Sequence, residues 1–388
     1  MIRRVVLVAS DVFVRRLTPA LSTFVQMRLD FRIVDIHRPP RELLDRIREL
    51  NPAGIITESL PRLTETILSL GIPTVVADSD LVYRDAVSID VDDHAVGAEA
   101  ARFFHESGYE NFACVHNGAP YSTQRLTGFQ RTLETGGTNP PMTFLQTERR
   151  PRYYMESWNE STDRLRDWLR KLPKPVGVFA VHDPLGCWVV EAAIEAGLHV
   201  PEEVAIAGAN DDELVCGLSY PPLSSVEIAW DRLGTLAGTW VQALIEGRPA
   251  PKTPILVQPG PVHVRQSTAL IAVEDPEVRR VVQYLRDHYR EPITIGAACA
   301  ALRLSRRTVE RKFTAHLRTS PWDSLCRMRV EAAKSLLIET DQPMTMISDA
   351  CGFGDAERLS VVFRRHTGTS PSKFRKASLT GERFKPPR

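Results

Sequence analysis

The sequence predicts two fold classes in one chain. Residues 1–270 read as an α/β body built on parallel sheets, 271–276 as a linker, and 277–388 as an all-α domain with two helix-turn-helix units. Three observations predict this division. Short apolar runs alternate with helix-length amphipathic segments through the body. One helical unit is written twice in the tail, 50 residues apart. Charge divides the same way: residues 277–388 carry 22 Lys and Arg against 12 Asp and Glu, a surplus of +10, while the rest carries 27 against 36, or −9. An overall charge of +1 hides that contrast, and a basic tail on an acidic body points to a polyanion partner for the tail alone.

In the body, strand-like runs lie at Val5–Ala9, Phe31–Ile36, Gly54–Thr57, Thr74–Ala77, Val87–Ile89, Phe112–Val115, Val176–Val181, Val204–Ala207 and Ile255–Val257. Between them fall helix-length segments such as Arg41–Leu50, His94–Ser107, Thr162–Leu172 and Leu185–Ala196, several ending on a glycine (Gly71, Gly108, Gly197) suited to a C-cap. Parallel sheets with helices on both faces bind ligands beyond the carboxyl ends of their strands. The polar residues at those ends are Ser10 and Asp11, Asp90 to Asp93, His116 and Asn117, His182 and Asp183, and Asn210 to Asp212, with Arg125 and Trp158 nearby. Carboxylates, amides and Arg match the donors and acceptors of sugar hydroxyls, and an indole face packs on a sugar's C–H face. Several of the same residues also suit a purely structural task. Asp183 before Pro184 reads as a helix N-cap, and so does Asp92 or Asp93.

Longer motifs carry a resemblance. The stretch from Val87 through Gly97, Arg125-Leu-Thr-Gly-Phe129, Val178 to Asp183, Val200 to Asp212, Leu223 to Val226 and Arg265 to Thr268 resembles the effector domain of the LacI/GalR repressors. That resemblance implies a two-lobed, hinged fold of the type I periplasmic-binding-protein kind, closing on a small sugar. Carried over by motif, it makes Asp92, Arg125, Trp158, Asp183, Asn210 and Asp211 the ligand contacts. Those repressors carry their DNA reader at the N-terminus, whereas this chain opens on a strand, so the reader is expected in the tail.

The tail repeat aligns Leu304–Phe313 with Gly354–Phe363, His316 with His366, and Thr319-Ser320-Pro321 with Thr369-Ser370-Pro371. Before it, Val278, Val281, Val282 and Leu285 mark one face of a helix. The units are expected at about 293–318 and 344–368, joined by a helix over 321–338 that Ser320, Pro321 and Asp323 open. Ser305 and Asp355 stand as N-caps, Val309 and Phe313 point inward, and Arg306, Arg307, Glu310 and Arg311 point outward. An exposed helix start rich in Arg suits entry into a major groove. A 321–338 helix rising about 1.5 Å per residue can hold two reading heads about one DNA turn, roughly 34 Å, apart. Gly352-Phe353, Leu359, Phe363-Arg364-Arg365, Gly368, Ser370-Pro371 and Phe374-Arg375 closely resemble the signature of the AraC/XylS DNA-binding domain, with Leu359 where the family has Phe. The resemblance implies double-stranded DNA as partner, with Arg306, Arg307, Glu310, Arg311, Glu357, Arg358, Ser360, Val361, Arg364 and Arg365 as the contacting set.

A sugar-binding body joined to an AraC/XylS tail resembles the xylose-responsive branch of that family. It implies a DNA-binding regulator, expected to be a homodimeric activator meeting RNA polymerase, with D-xylose as effector. A different carbohydrate, or a constitutive DNA binder using its body to oligomerise, is the alternative. Enzyme chemistry is not expected: the chain has no G-x-S-x-G, no P-loop and no G-x-G-x-x-G at a strand–helix junction. Neither cofactor nor metal is expected, since the six cysteines (114, 187, 216, 299, 326, 351) are scattered and read as buried thiols of a reducing compartment. Without a signal-peptide pattern or an apolar run of membrane-spanning length, the expected location is the cytoplasm, away from membranes.

Overall fold

The computed structural model describes residues 2–78, 81, 83–84, 86–146, 158–269, 275–317 and 319–380. Its strands are β1 (Arg3–Ala9), β2 (Leu29–Asp35), β3 (Gly54–Glu58), β4 (Thr74–Ala77), β5 (Ala86–Val91), β6 (Asn111–His116), β7 (Met142–Leu145), β8 (Val176–Ala180), β9 (Val204–Asn210), β10 (Ser224–Glu227), β11 (Ile255–Val257) and β12 (Val262–His263). Body helices are α1 (Asp11–Ser22), α2 (Pro40–Leu50), α3 (Pro61–Leu68), α4 (Asp93–Glu106), α5 (Pro120–Thr135), α6 (Trp158–Lys171), α7 (Asp183–Glu195), α8 (Glu213–Leu218) and α9 (Trp230–Ile245). Two sheets result, in the orders β11-β5-β4-β3-β1-β2 and β12-β10-β9-β8-β6-β7. All pairings are parallel except β10 with β12. The body is therefore two doubly wound lobes, as expected.

β1 shows why the apolar runs are continuous. Val5, Leu7 and Ala9 join the core containing Phe13, Leu17 and Leu21 of α1, while Val6 and Val8 join Leu43 and Ile47 of α2. A strand covered on both faces has no residue to spare for water. The chain crosses between lobes at 91–93, 227–230 and 257–262, so α9 packs on the first sheet and α4 on the second. Three strands escape the apolar-run reading: β7, β10 and β12. β10 explains the failure best, because its buried Ser224 and Ser225 satisfy their hydroxyls through Thr268 and Asp183 rather than by being apolar.

Against α4 lies α5, and the two helices cross almost backbone to backbone. A Cβ on Gly97 would collide with the Arg125 carbonyl oxygen, and one on Gly128 with that of His94. The glycines thus fix where Arg125 starts from.

The tail comprises α10 (Pro276–His288), α11 (Ile295–Ala301), α12 (Arg306–Leu317), α13 (Pro321–Glu339), α14 (Met344–Ala350), α15 (Ala356–Thr367) and α16 (Pro371–Thr380). Asp275 caps α10, so the helix opens inside the expected linker; residues 271–274 of that linker lie outside the described residues. Val278, Val281, Val282 and Leu285 form one core with Val309 and Phe313 of α12, as their spacing predicts. Asp355 caps α15 by accepting from Arg358 N at 2.6 Å, and Gly368 ends it in the left-handed conformation. All six cysteines are free thiols, and all but half-buried Cys187 are buried. No described helix is long and apolar enough to cross a membrane.

Gly97→Ala forces α4 off α5 with no flexible side chain to yield. The expected cost is about 2–3 kcal/mol, read as a lowered thermal midpoint with the rest of the far-UV circular dichroism unchanged.

Candidate ligand pocket and nucleic-acid interface

Where β8, β9 and α4 end or begin, the chain gathers polar side chains around one guanidinium. Arg125, on the second turn of α5, is only 5% exposed. Its Nε donates to Asp93 Oδ1 at 2.7 Å, and its Nη1 donates to Val181 O at 2.7 Å and to Asn210 Oδ1 at 3.1 Å. The Tyr121 ring lies 5.2 Å from the guanidinium carbon, and Tyr121 OH accepts from Asn117 Nδ2 at 2.7 Å. From the first lobe, Asp78 acts electrostatically on Asp93 and Arg125, and Arg16 bridges to Asp212 of the second lobe at 3.4 Å. The set therefore lies where the two lobes meet.

Backbone strain marks the same place. Asp78, Asn210 and Asp211 hold φ values of 60°, 113° and 49°, a region non-glycine residues avoid unless their surroundings enforce it. Although Asp78 stays exposed, crowding by the surrounding protein, with the charge of Asp93 next, lifts its carboxyl to about 6. Arg125 and Arg16 pull the other way and do not prevail.

The structure sorts the expected ligand contacts. Arg125 and Asn210 come together. Asp92 is the N-cap of α4, accepting from Ala95 N at 3.0 Å and from Gln258 Nε2 at 2.9 Å, while its neighbour Asp93 is the carboxylate on Arg125. Asp183 is fully buried and accepts from Asp212 N at 2.8 Å and from the Ser225 hydroxyl, which anchors the turn after β9. Burial lifts its carboxyl to about 7. It does not cap α7: His182 does, with Nδ1 accepting from Leu185 N at 3.0 Å, because the helix starts at Asp183 and Pro184 sits inside the first turn. Asp211 turns away, to His263 Nδ1 at 2.6 Å and Arg265 Nη1 at 2.7 Å. His263 reaches Glu227 at 3.1 Å through its other nitrogen, and the two carboxylates hold the imidazolium up to about 10. Trp158 opens α6, but its side chain lies outside the described residues. Asp78, Arg16 and Tyr121 are not singled out in the sequence, and Asp93 stands out there only as a strand-end carboxylate and candidate N-cap. Asp78 follows β4 as the other candidates follow their strands, and that position alone could have found it.

In the tail, Arg306, Arg307, Glu310 and Arg311 all stand exposed on α12, with Arg306 Nε on Glu310 Oε1 at 2.9 Å. On α15, Glu357, Arg358, Arg364 and Arg365 are exposed, and so is Val361 at 64%. An apolar side chain held open to water on a basic helix suits a thymine methyl. Ser360 is half-buried and its hydroxyl donates back to Ala356 O at 2.9 Å. Arg358 lies over the Trp322 ring at 5.0 Å.

One buried cation sets the two units against each other. Arg329 of α13, 1% exposed, donates from Nε to Tyr289 O at 2.8 Å and from Nη2 to Glu291 O at 2.7 Å and Ile293 O at 3.2 Å. Gly352 of the second unit packs on the same loop, where a Cβ would strike the carbonyls of Tyr289 and Glu291.

Residues 101–268 match the periplasmic binding protein-like domain, and residues 298–377 match a helix-turn-helix domain. The chain is similar to the xylose operon regulatory protein of Haemophilus influenzae, 27% identical over 340 residues that cover 85% of this chain and 87% of the relative. It is 26% identical to the protein of that name from Escherichia coli (strain K12) over 379 residues, 95% of each. Among solved structures, its fold is similar to that of a xylose-binding transcription activator, xylR, with a TM-score of 0.61 and 23% identity across 97% of this chain and 98% of that one.

Arg329→Ala removes the guanidinium from three carbonyls, of which Glu291 O keeps Ile293 N as a donor. The expected cost is about 3 kcal/mol, visible as a lowered denaturant midpoint of the tail.

Proposed function

We propose a working cycle for this chain, which is a sugar-responsive transcriptional regulator of the AraC type, a homologue of the xylose operon regulatory proteins, and not an enzyme. Its effector is D-xylose, bound between the lobes of residues 1–270. Arg125, Asp93, Asn210 and Asp78 are the polar contacts, with Trp158 as the aromatic wall. Residues 277–388 bind double-stranded DNA through α12 and α15 in successive major grooves. The chain works as a cytoplasmic homodimer and activates transcription by meeting RNA polymerase.

The observation that carries this reading is the charged cluster at the lobe junction. Arg125 is desolvated, pre-aimed and ringed by acceptors, which suits a vicinal hydroxyl pair that donates to a carboxylate and accepts from the guanidinium. Asp92, Asp183 and Asp211 support the pocket from behind in this reading. Asp92 caps α4, Asp183 holds the β9 turn, and Asp211 ties that turn to His263. Because sugar binding prefers closed lobes, it shifts the population toward them, and it changes DNA affinity only by its differential affinity for that state.

Titration calorimetry tests the effector directly. D-xylose is expected to bind the full chain, Arg125→Ala to abolish the heat, and DNA affinity by fluorescence anisotropy to rise with xylose in the parent only. No heat with any pentose or hexose overturns the reading. The pH dependence has a defined sign. A sugar hydroxyl donated to Asp78 needs the ionised carboxylate, so affinity is full above about 6 and falls by up to about tenfold per unit below it. Asp78→Asn binds more weakly and removes that step, which calorimetry at pH 5 to 8 resolves.

A further inference from the structure

Helix α4 begins in the pocket and ends on the tail. Its first residue, Asp93, holds Arg125, and at the other end of this 14-residue helix its last turn meets the DNA-binding domain. There Glu106 Oε1 pairs with Arg327 Nε of α13 at 3.0 Å, and the Ser107 hydroxyl accepts from Arg286 Nη2 of α10 at 2.6 Å. The Arg286 guanidinium lies over the Phe103 ring at 5.5 Å. Midway along, Glu99 feels the charges of Glu331 and Lys334 on α13, and Arg102 that of Glu331. All these grips come from the second lobe.

The far end of α13 belongs to the first lobe. α13 packs on α9, and Asp341, just past its C-terminus, acts on the largely buried Arg232 of that helix. Val330, Ala333 and Leu337 of α13 belong to the same continuous core as the body, whereas α10 and the first unit form a core of their own. Between body and tail a cleft of about 790 Å³ remains, lined by Glu227, His263, Arg286, Met328, Glu331 and Ser335 among others. α13 is thus a crossbar with one support on each lobe.

Lobes joined by three crossovers move by rotating about them, which changes the position of α4 relative to α9. A helix resting on both cannot keep both contacts unless it moves with the rotation. We infer that the α4 C-terminal turn and α9 together form the docking surface for the tail, and that α13 reads lobe closure through the Glu106–Arg327 and Ser107–Arg286 grip. Arg329 and Gly352 make the tail one body, so a shift of α13 re-aims α12 and α15 together. The inference rests on the proposed sugar response.

The test uses the full chain, with Glu106→Arg, Arg327→Glu and the double exchange, measuring xylose affinity by calorimetry and DNA affinity with and without xylose. Both side chains are part-exposed, and a thermal melt checks each fold. In the single reversals, xylose affinity is expected to stay within about twofold of the parent. The ratio of DNA affinities with and without sugar is expected to collapse by about fivefold or more, and the double exchange to restore it. If the parent responds and both single reversals respond equally, this inference is overturned while the proposed function stands. If the parent binds xylose with no change in DNA affinity, the proposed function falls and takes this inference with it.

Discussion

A guanidinium removed from water must find all its partners inside the protein, and Arg125 imposes that demand on the whole sensor. Its contacts draw the end of β8, the end of β9 and the start of α4 to one point beside α5. Breaking any one of them leaves a buried charge or acceptor uncompensated, which costs far more than an intact pair contributes. The geometry is therefore stiff at the junction of the lobes. Gly97 and Gly128 serve the same end, since only their missing side chains let α5 approach α4 closely enough to deliver Arg125.

The tail repeats the device with a different partner type. Among the described residues Arg329 has no carboxylate opposite it and is held by three backbone carbonyls of the loop between α10 and α11. Tyr289 O is the C-cap carbonyl of α10 and the other two belong to the loop that follows, and a buried cation satisfies several such acceptors at once. The arrangement locks the joining helix to the first unit, and Gly352 locks the second unit to the same loop. The α12 and α15 helices are thereby held at a fixed separation.

Polar residues at the lobe junction show how one acidic set divides its work. Asp93 faces the guanidinium, Asp92 caps a helix, Asp183 anchors a turn and Asp211 forms a bridge with His263 and Arg265. Burial and hydrogen bonding push their carboxyls in opposite directions: Asp183 is raised by desolvation, while hydrogen bonds from His263 and Arg265 overcome burial and lower Asp211. Neighbouring carboxylates of like sequence context thus acquire unlike chemistry.

Periodicity and spacing by themselves determined the α/β body, the duplicated tail and the inward Phe313 and Phe363, because each depends on local pattern, while Arg125 was marked only by a motif resembling the LacI/GalR effector domain. Tertiary structure alone decided the rest. It chose Asp93 over Asp92 as the carboxylate on Arg125, because adjacent residues at a helix start point in different directions and only packing shows which one faces the cleft. It placed β11 in the first sheet and β12 in the second, since strand order arises from long-range pairing that no local pattern encodes. It brought Asp78 within electrostatic reach of Arg125 across 47 residues of sequence, and Glu106 beside Arg327 across 221. Charges so far apart in the chain meet only because the lobes and the tail bury their apolar faces in a particular way.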